Sequence, residues 1–140
     1  MANEHRLNIP GEISQVPGAC SWVVEVAEGA GMSMRDANHL ELAVDEAVTN
    51  IIEHGYGGSG AGRSIDIIVH EDGSHLKITI VDEGPPFDPL SLKDPDPTGK
   101  EVEDLDIGGW GFFFIKKVMD SVYYQYRSDR NHLIMTKKMG

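Results

Sequence analysis

A single cysteine, Cys20, in 140 residues leaves no disulfide framework and no thiolate metal cluster. Basic residues are also scarce: 12 lysines and arginines stand against 23 acids, a formal net charge of -11. Phosphate backbones and anionic membranes demand a basic face, so neither nucleic acid nor membrane is expected as a partner. A small phosphorylated ligand stays open, because a pocket needs only a few donors. No run of about 18 apolar residues exists, so no bilayer-spanning helix is expected. The N-terminus lacks a signal-peptide pattern. A soluble, cytoplasmic protein with a single domain over residues 1–140 is the expectation.

Several common motifs are missing too. "GGSGAGRS" lacks the Gly-Lys-Ser/Thr end of a P-loop, and "TGK" at 98–100 lacks its upstream glycine. The six histidines show no His-Glu-x-x-His pattern, which argues against zinc. Ser21 and Ser64 have no nucleophile-elbow context.

What is present is clear periodicity. "HRLNIP" alternates as a first strand. A helix follows in the later part of "ISQVPGACSWVVEVAEGAG", with Pro17 near its first turn and Gly29 and Gly31 at its end. Ser33 is a good N-cap for a second helix, with Asp36 three residues on as a weak capping box. That helix is expected to run to about His54, with Leu40, Val44, Ala47 and Ile51 as its core stripe. "SIDIIVHED" and "HLKITIVDE" read as a hairpin, and "DGS" as its turn. Residues 85–108 hold most of the prolines and little periodicity, the pattern of a functional lid or of a disordered loop. "WGFFFIKKVMD" reads as a helix whose phenylalanines are mostly core, with Lys116 and Lys117 on its solvated face. "SVYYQYRS" and "NHLIMTKK" close the chain as a hairpin with "DRN" at its turn. Helices and hairpins segregate, so the fold class is α+β. It is a two-layer sandwich of a mixed, mostly antiparallel sheet with helices on one face.

Three stretches can carry chemistry. On the second helix Glu46, Asn50 and His54 recur every four residues, so they line one side at the edge of the core stripe. Hard oxygens there suit Mg2+ and phosphates, and a carboxylate can accept a proton from a hydroxyl. Loop capping or plain solvent exposure explains Glu46 and Asn50 about as well. In "VDEGPPFDP", Asp82 ends an apolar strand and Gly84 follows. An aspartate there can accept from an exocyclic amine; a simple strand-ending turn is the more ordinary explanation. In "IGGWGFFFIKK", Gly108, Gly109 and Gly111 immediately precede a helix, where free N–H groups and the helix dipole favour phosphate. A hinge and N-cap would use the same residues.

Taken together, in this order and spacing, the three stretches resemble the Bergerat ATP-binding fold shared by gyrase, histidine kinases and heat-shock chaperone ATPases. "ELAVDEAVTNIIEHGY", "VDEGPPFDP" and "GGWGFFFIKKVMDSVYY" most resemble the bacterial anti-sigma factor serine/threonine kinases, the switch-protein kinases, over nearly the whole chain. The resemblance implies ATP or ADP and Mg2+ as ligands. It implies Asn50 on the metal that bridges the phosphates and Glu46 as general base on the attacking hydroxyl. Asp82 would hold the adenine amine and Gly84 would leave room for its ring. Gly109 and Gly111 would offer amides to the phosphates, and His54 would be a pocket wall or structural residue. It further implies a STAS-type anti-anti-sigma protein as phosphoacceptor, a sigma factor as the silenced partner, and a homodimer. The chain departs from the wider pattern at Pro86, which replaces the second glycine of Asp-x-Gly-x-Gly and removes an N–H. Trp110 stands where an aliphatic residue is commoner in the family. The lid is acidic where some relatives place an arginine, and Lys100 is its nearest base, counted with the nucleotide-binding residues. An acidic lid leaves a second possibility, a non-catalytic ATP- or ADP-sensing module that controls a partner.

Overall fold

Period-two alternation builds the sheet. Strand β1 (Asn3–Pro10) leads, β2 (Ser64–Glu71) and β3 (His75–Asp82) follow, and β4 (Ser121–Arg127) and β5 (Arg130–Lys138) end it. In this computed structural model, which describes residues 3–91 and 109–139, the five strands form one sheet in the order β1-β2-β3-β5-β4. All four pairings are antiparallel, so the sheet expected as mixed is antiparallel throughout among the described residues. Every neighbouring pair except β3·β5 is joined by a hairpin or an excursion that returns to its own edge. The β3·β5 pair forms because β5 folds back from β4 into the gap beside β3.

Helices α1 (Val16–Gly29), α2 (Met34–Asn50) and α3 (Gly109–Val118) make the second layer. Ile65, Ile67, Ile78, Ile80 and Met135 from the sheet are fully buried with Leu40, Val44 and Val48 of α2. Burying such side chains contributes roughly 1.5–3 kcal/mol each before entropy is counted. Pro17 lies in the first turn of α1, as expected of proline, whose missing N–H is an orphan there anyway. Ser33 caps α2, its hydroxyl accepting from the Asp36 N–H at 3.2 Å. The Asp36 carboxylate instead lies 3.9 Å from Lys137 Nζ, which also donates to Val118 O at 2.7 Å. Lys137 is only 8% exposed, so this one cation ties the start of α2 and the end of α3 to β5. That fixes how α3 meets α2.

Two local departures shape the site. Helix α2 stops being an α-helix at Asn50 and continues as a π turn, Ile51–Gly55. The Tyr56 N–H reaches back five residues to Ile51 O at 2.8 Å. Such a turn inserts one extra residue and re-aims the side chains after it, a feature frequent at functional sites. The final hairpin also turns earlier than its "DRN" suggests. Ser128 and Asp129 both have positive φ, +53° and +60°, the signature of a two-residue type I′ turn. Arg130 and Asn131 therefore belong to β5.

The glycine-rich loop after α2 is pinned rather than loose. The Tyr56 hydroxyl donates to Ser64 O at 2.7 Å and accepts from the Glu83 N–H at 2.8 Å. The Arg63 guanidinium stacks 4.2 Å above its ring. A Cβ at Gly11 would lie 2.8 Å from that same ring, so glycine is required where the end of β1 passes it.

Candidate active site

A cavity of about 360 Å3 opens between the edge of α2, the end of β3, the start of α3 and the β4–β5 hairpin. That volume lies in the range of small-molecule sites. Ala47, Ile51, Phe112 and Leu133 give it apolar walls; Asn50, His54, Asp82 and Asn131 supply polar groups. The structure thus brings Asn50, His54 and Asp82, which are far apart in sequence or on different elements, to one space. The apolar stripe of α2 faces the sheet while the four-residue line runs along the cavity side.

Glu46 lies one turn before Asn50 and faces α3. A Cβ built on Gly111 would collide with Glu46 Oε2, so the carboxylate occupies the space that a side chain on α3 would fill. Burial, then the neighbouring charges of Asp45 and Glu53, raise the Glu46 pKa above the usual glutamate value. A carboxylate so tuned is a better proton acceptor than one in water. Among the described residues neither Glu46 nor the Asn50 amide receives a hydrogen bond from the protein. Gly109 and Gly111 fall inside the first turn of α3 rather than ahead of it. Their N–H groups are still among the four that a helix start leaves without an intrahelical partner. Of the three phenylalanines only Phe112 is fully core; Phe114 is 45% exposed. Lys100, and the lid from residue 92 to 108, lie outside the described residues.

At the other end, Asp82 is 7% exposed. Its Oδ1 accepts from the Gly84 N–H at 2.8 Å and from Asn131 Nδ2 at 3.0 Å. Both bonds fall on one oxygen, so the lone pairs of Oδ2 remain for a ligand donor. Burial raises the Asp82 pKa, and outweighs the two hydrogen bonds that favour the ionised form. Gly84 is not a wall of the cavity. A Cβ there would meet Asp82 Oδ1 at 3.0 Å and Gly55 O at 3.5 Å, so its smallness serves the approach of β3 to the π turn. Pro86 does line the cavity, beside Pro85, Phe87 and Pro89. The residue whose N–H proline lacks is therefore used as an apolar wall.

Sequence reasoning missed Asn131 and Tyr124. The sequence places Asn131 where "DRN" meets the first residue of "NHLIMTKK", and neither the turn nor the strand marks it for a role. Placed in β5, it shares the period-two inner face of Leu133 and Met135 and pairs directly with Asp82. That register was the available signal. Cys20, by contrast, has no part in the chemistry: burial, then Asp45 and Glu41, push its thiol up to about 12.

Among the described residues no group of three or more His, Cys, Asp or Glu side chains converges. Asn50 fits a different arrangement. Its hard amide oxygen borders the cavity and would complete the shell of an ion held chiefly by phosphates.

An apolar cleft, an aspartate at a strand end and a helix start opposite a Glu-x-x-x-Asn helix define a nucleotide-binding ATPase fold. Residues 9–137 match the histidine kinase-like ATPase domain family, and the chain belongs to that family. It is 33% identical over 116 residues to the serine-protein kinase RsbW of Listeria monocytogenes, covering 80% of this chain and 72% of that protein. It is 29% identical over 118 residues to the serine/threonine-protein kinase BtrW of Bordetella bronchiseptica, covering 84% and 82%. Among solved structures it resembles the RsbU and RsbW domains of a Mycobacterium tuberculosis protein, with a TM-score of 0.66 at 14% identity over 98% of this chain and 32% of that one. It also resembles a chain of the SiaB–SiaC complex of Pseudomonas aeruginosa, with a TM-score of 0.65 at 11% identity over 96% and 88%. At those identities the likeness is one of fold.

Proposed function

We propose that this protein is an ATP-dependent serine/threonine-protein kinase of the anti-sigma type, acting in a partner-switching system. It phosphorylates a hydroxyl on a STAS-type anti-anti-sigma partner and sequesters a sigma factor, as a homodimer in the cytoplasm. The relatives named serine-protein kinases support the catalytic half of this reading. Among the described residues no helix is long and apolar enough to cross a membrane. The observation that carries the reading is the meeting of Asn50 and Asp82 around one cavity, with Glu46 one helical turn before Asn50 and against Gly111 of α3.

The roles follow from position. Asp82 Oδ2 accepts from the exocyclic amine of adenine while Pro86 and Leu133 wall the ring. The triphosphate runs toward the first turn of α3, where N–H groups and the helix dipole meet its charge. Asn50 would supply an amide oxygen to Mg2+, which would neutralise phosphate charge. Glu46 takes the proton of the incoming serine or threonine hydroxyl. That oxygen bonds to the γ-phosphorus, the bond to the bridging β–γ oxygen breaks, and ADP leaves with the electron pair. Phosphoryl transfer asks chiefly for positioning and charge stabilisation, and these groups provide both. Lys100, outside the described residues, would add a positive charge for the phosphates.

Transfer of radiolabel from ATP to a STAS-domain protein, wild type against Glu46→Ala, tests this. Transfer is expected to be lost in the variant; undiminished transfer would remove Glu46 from its role. Tight ATP binding with no transfer to any STAS protein supplied would replace the kinase by a nucleotide-sensing module.

A further inference from the structure

Asn131 is 7% exposed and uses its whole amide. Its Nδ2 donates to Asp82 Oδ1 at 3.0 Å, to Gly84 O at 3.1 Å and to Pro85 O at 3.0 Å. Its Oδ1 accepts from the Phe87 N–H at 3.1 Å and from the Tyr124 hydroxyl. Nitrogen faces three oxygens and oxygen faces two donors, so the orientation of the amide is unambiguous. The β3–β5 register makes this inevitable, because Asn131 stands directly across from Asp82.

We propose that Asn131 is a positioning residue for purine recognition, which holds Asp82 by one oxygen and so makes the site prefer a base with an exocyclic amine over one with a carbonyl. The proposal rests on the reading of the cavity as a nucleotide site.

The reasoning runs through hydrogen-bond capacity. An ionised carboxylate only accepts; a protonated one also donates. Asn131 and Gly84, both donating to Oδ1, favour the acceptor-only carboxylate against the burial that opposes it, and Oδ2 is left for the ligand. An amine at position six of the purine satisfies that oxygen. A carbonyl at the same position, as in guanine, places acceptor against acceptor in a buried space, which is strongly disfavoured. Removing the Asn131 donor frees the carboxylate to rotate and to take a proton, and a protonated Asp82 can donate to a carbonyl. The same amide also braces the backbone from Gly84 to Phe87. A purely structural role and a recognition role therefore make different predictions. Loss of bracing weakens every purine nucleotide alike, whereas loss of positioning weakens only the one that offers an amine.

The test is calorimetric titration, with Mg2+ present, of ATP, GTP and the triphosphate of unsubstituted purine riboside. Wild type is compared with Asn131→Ala and Asn131→Leu. The leucine variant keeps the branched shape of asparagine without any donor to Asp82, so it also serves should the alanine variant fail to fold. Wild type should bind ATP at least about 10-fold more tightly than either analogue. In the variants ATP should weaken by about 10-fold while the unsubstituted purine changes by less than about 2-fold, so that the preference collapses. Equal weakening of ATP and the unsubstituted purine, or a preference that survives both substitutions, overturns the proposal while leaving the nucleotide site intact. Failure of wild type to bind any of the three overturns the nucleotide reading itself, and this proposal with it.

Discussion

The two ends of the cavity are built on opposite plans. At the strand end Asp82, Gly84, Phe87, Tyr124 and Asn131 bond to one another through side chains and backbone. At the helix end Glu46 and Asn50 have no such protein partners among the described residues. The first end is internally bonded; the second leaves oxygens that, in the proposed reading, meet phosphate, metal and hydroxyl. A base-recognition end built this way loses little freedom on binding, and rigidity of that kind favours affinity. A reaction end must instead engage groups that change during the reaction, so its strongest interactions are better saved for the transition state. The contrast teaches that affinity and turnover should be separable by mutation.

Glu46→Gln should show the largest effect. Losing a general base typically costs about 100- to 10,000-fold in transfer, and ATP affinity should hold within about 2-fold because no contact to the base end is touched. A matching fall in affinity, measured by calorimetry, would break the separation. Gly111→Ala attacks the same end indirectly. Its methyl group claims the space of Glu46 Oε2 and must displace the carboxylate. A shift near 1 Å can cost about 100-fold in rate. Single-turnover transfer should fall while nucleotide binding persists; unchanged transfer would show that the contact is incidental.

Asp82→Asn probes the internally bonded end. ATP affinity should drop about 10- to 100-fold, the worth of a hydrogen bond to a charged group. Stability should move the other way. Folding raises the Asp82 pKa. Stability linked to this group is therefore present at low pH and lost as pH rises through the raised value. At neutral pH the ionised carboxylate opposes folding, so the amide variant should melt no lower than wild type. A melting temperature well below wild type would mean that Asp82 is a structural member first.

Much of this design was legible in the sequence, and the reasons differ by element. The capped α2, with its apolar stripe and its polar line at four-residue spacing, is a local pattern that periodicity exposes. Asp82 at the end of an alternating strand was equally visible. What escaped depended on two local geometries that composition hardly marks. The π turn after Asn50 breaks the helical period, and it sets His54 and Gly55 against the cavity. The type I′ turn uses Ser128 and Asp129, with no glycine and only the first residue of "DRN", which puts Arg130 and Asn131 wholly in β5. Pairing across the β3–β5 ladder then gave Asn131 a partner 49 residues away. Nothing within a short window of sequence encodes a contact of that separation.

The finest contrast between the two ends is electrostatic, and Asp45→Asn isolates it. Asp45 is exposed, and its carboxylate accepts from Thr49 Oγ1 at 3.1 Å, a bond that an asparagine oxygen can keep. It raises the Glu46 pKa as the second cause after burial, with Glu53 third, while its charge is not among the causes acting on Asp82. With Glu46 as the proposed base, transfer requires it ionised, so the rate should fall as pH drops through the raised Glu46 value. Removing the Asp45 charge lowers that value and should carry the acid limb of the pH–rate profile to lower pH. The pH dependence of ATP binding, which the proposed reading assigns to Asp82, should stay where it was. Parallel rate and calorimetric series at several pH values measure both limbs. If the two move together, the ends are coupled through their charges and the separation argued from the hydrogen bonds does not extend to protons.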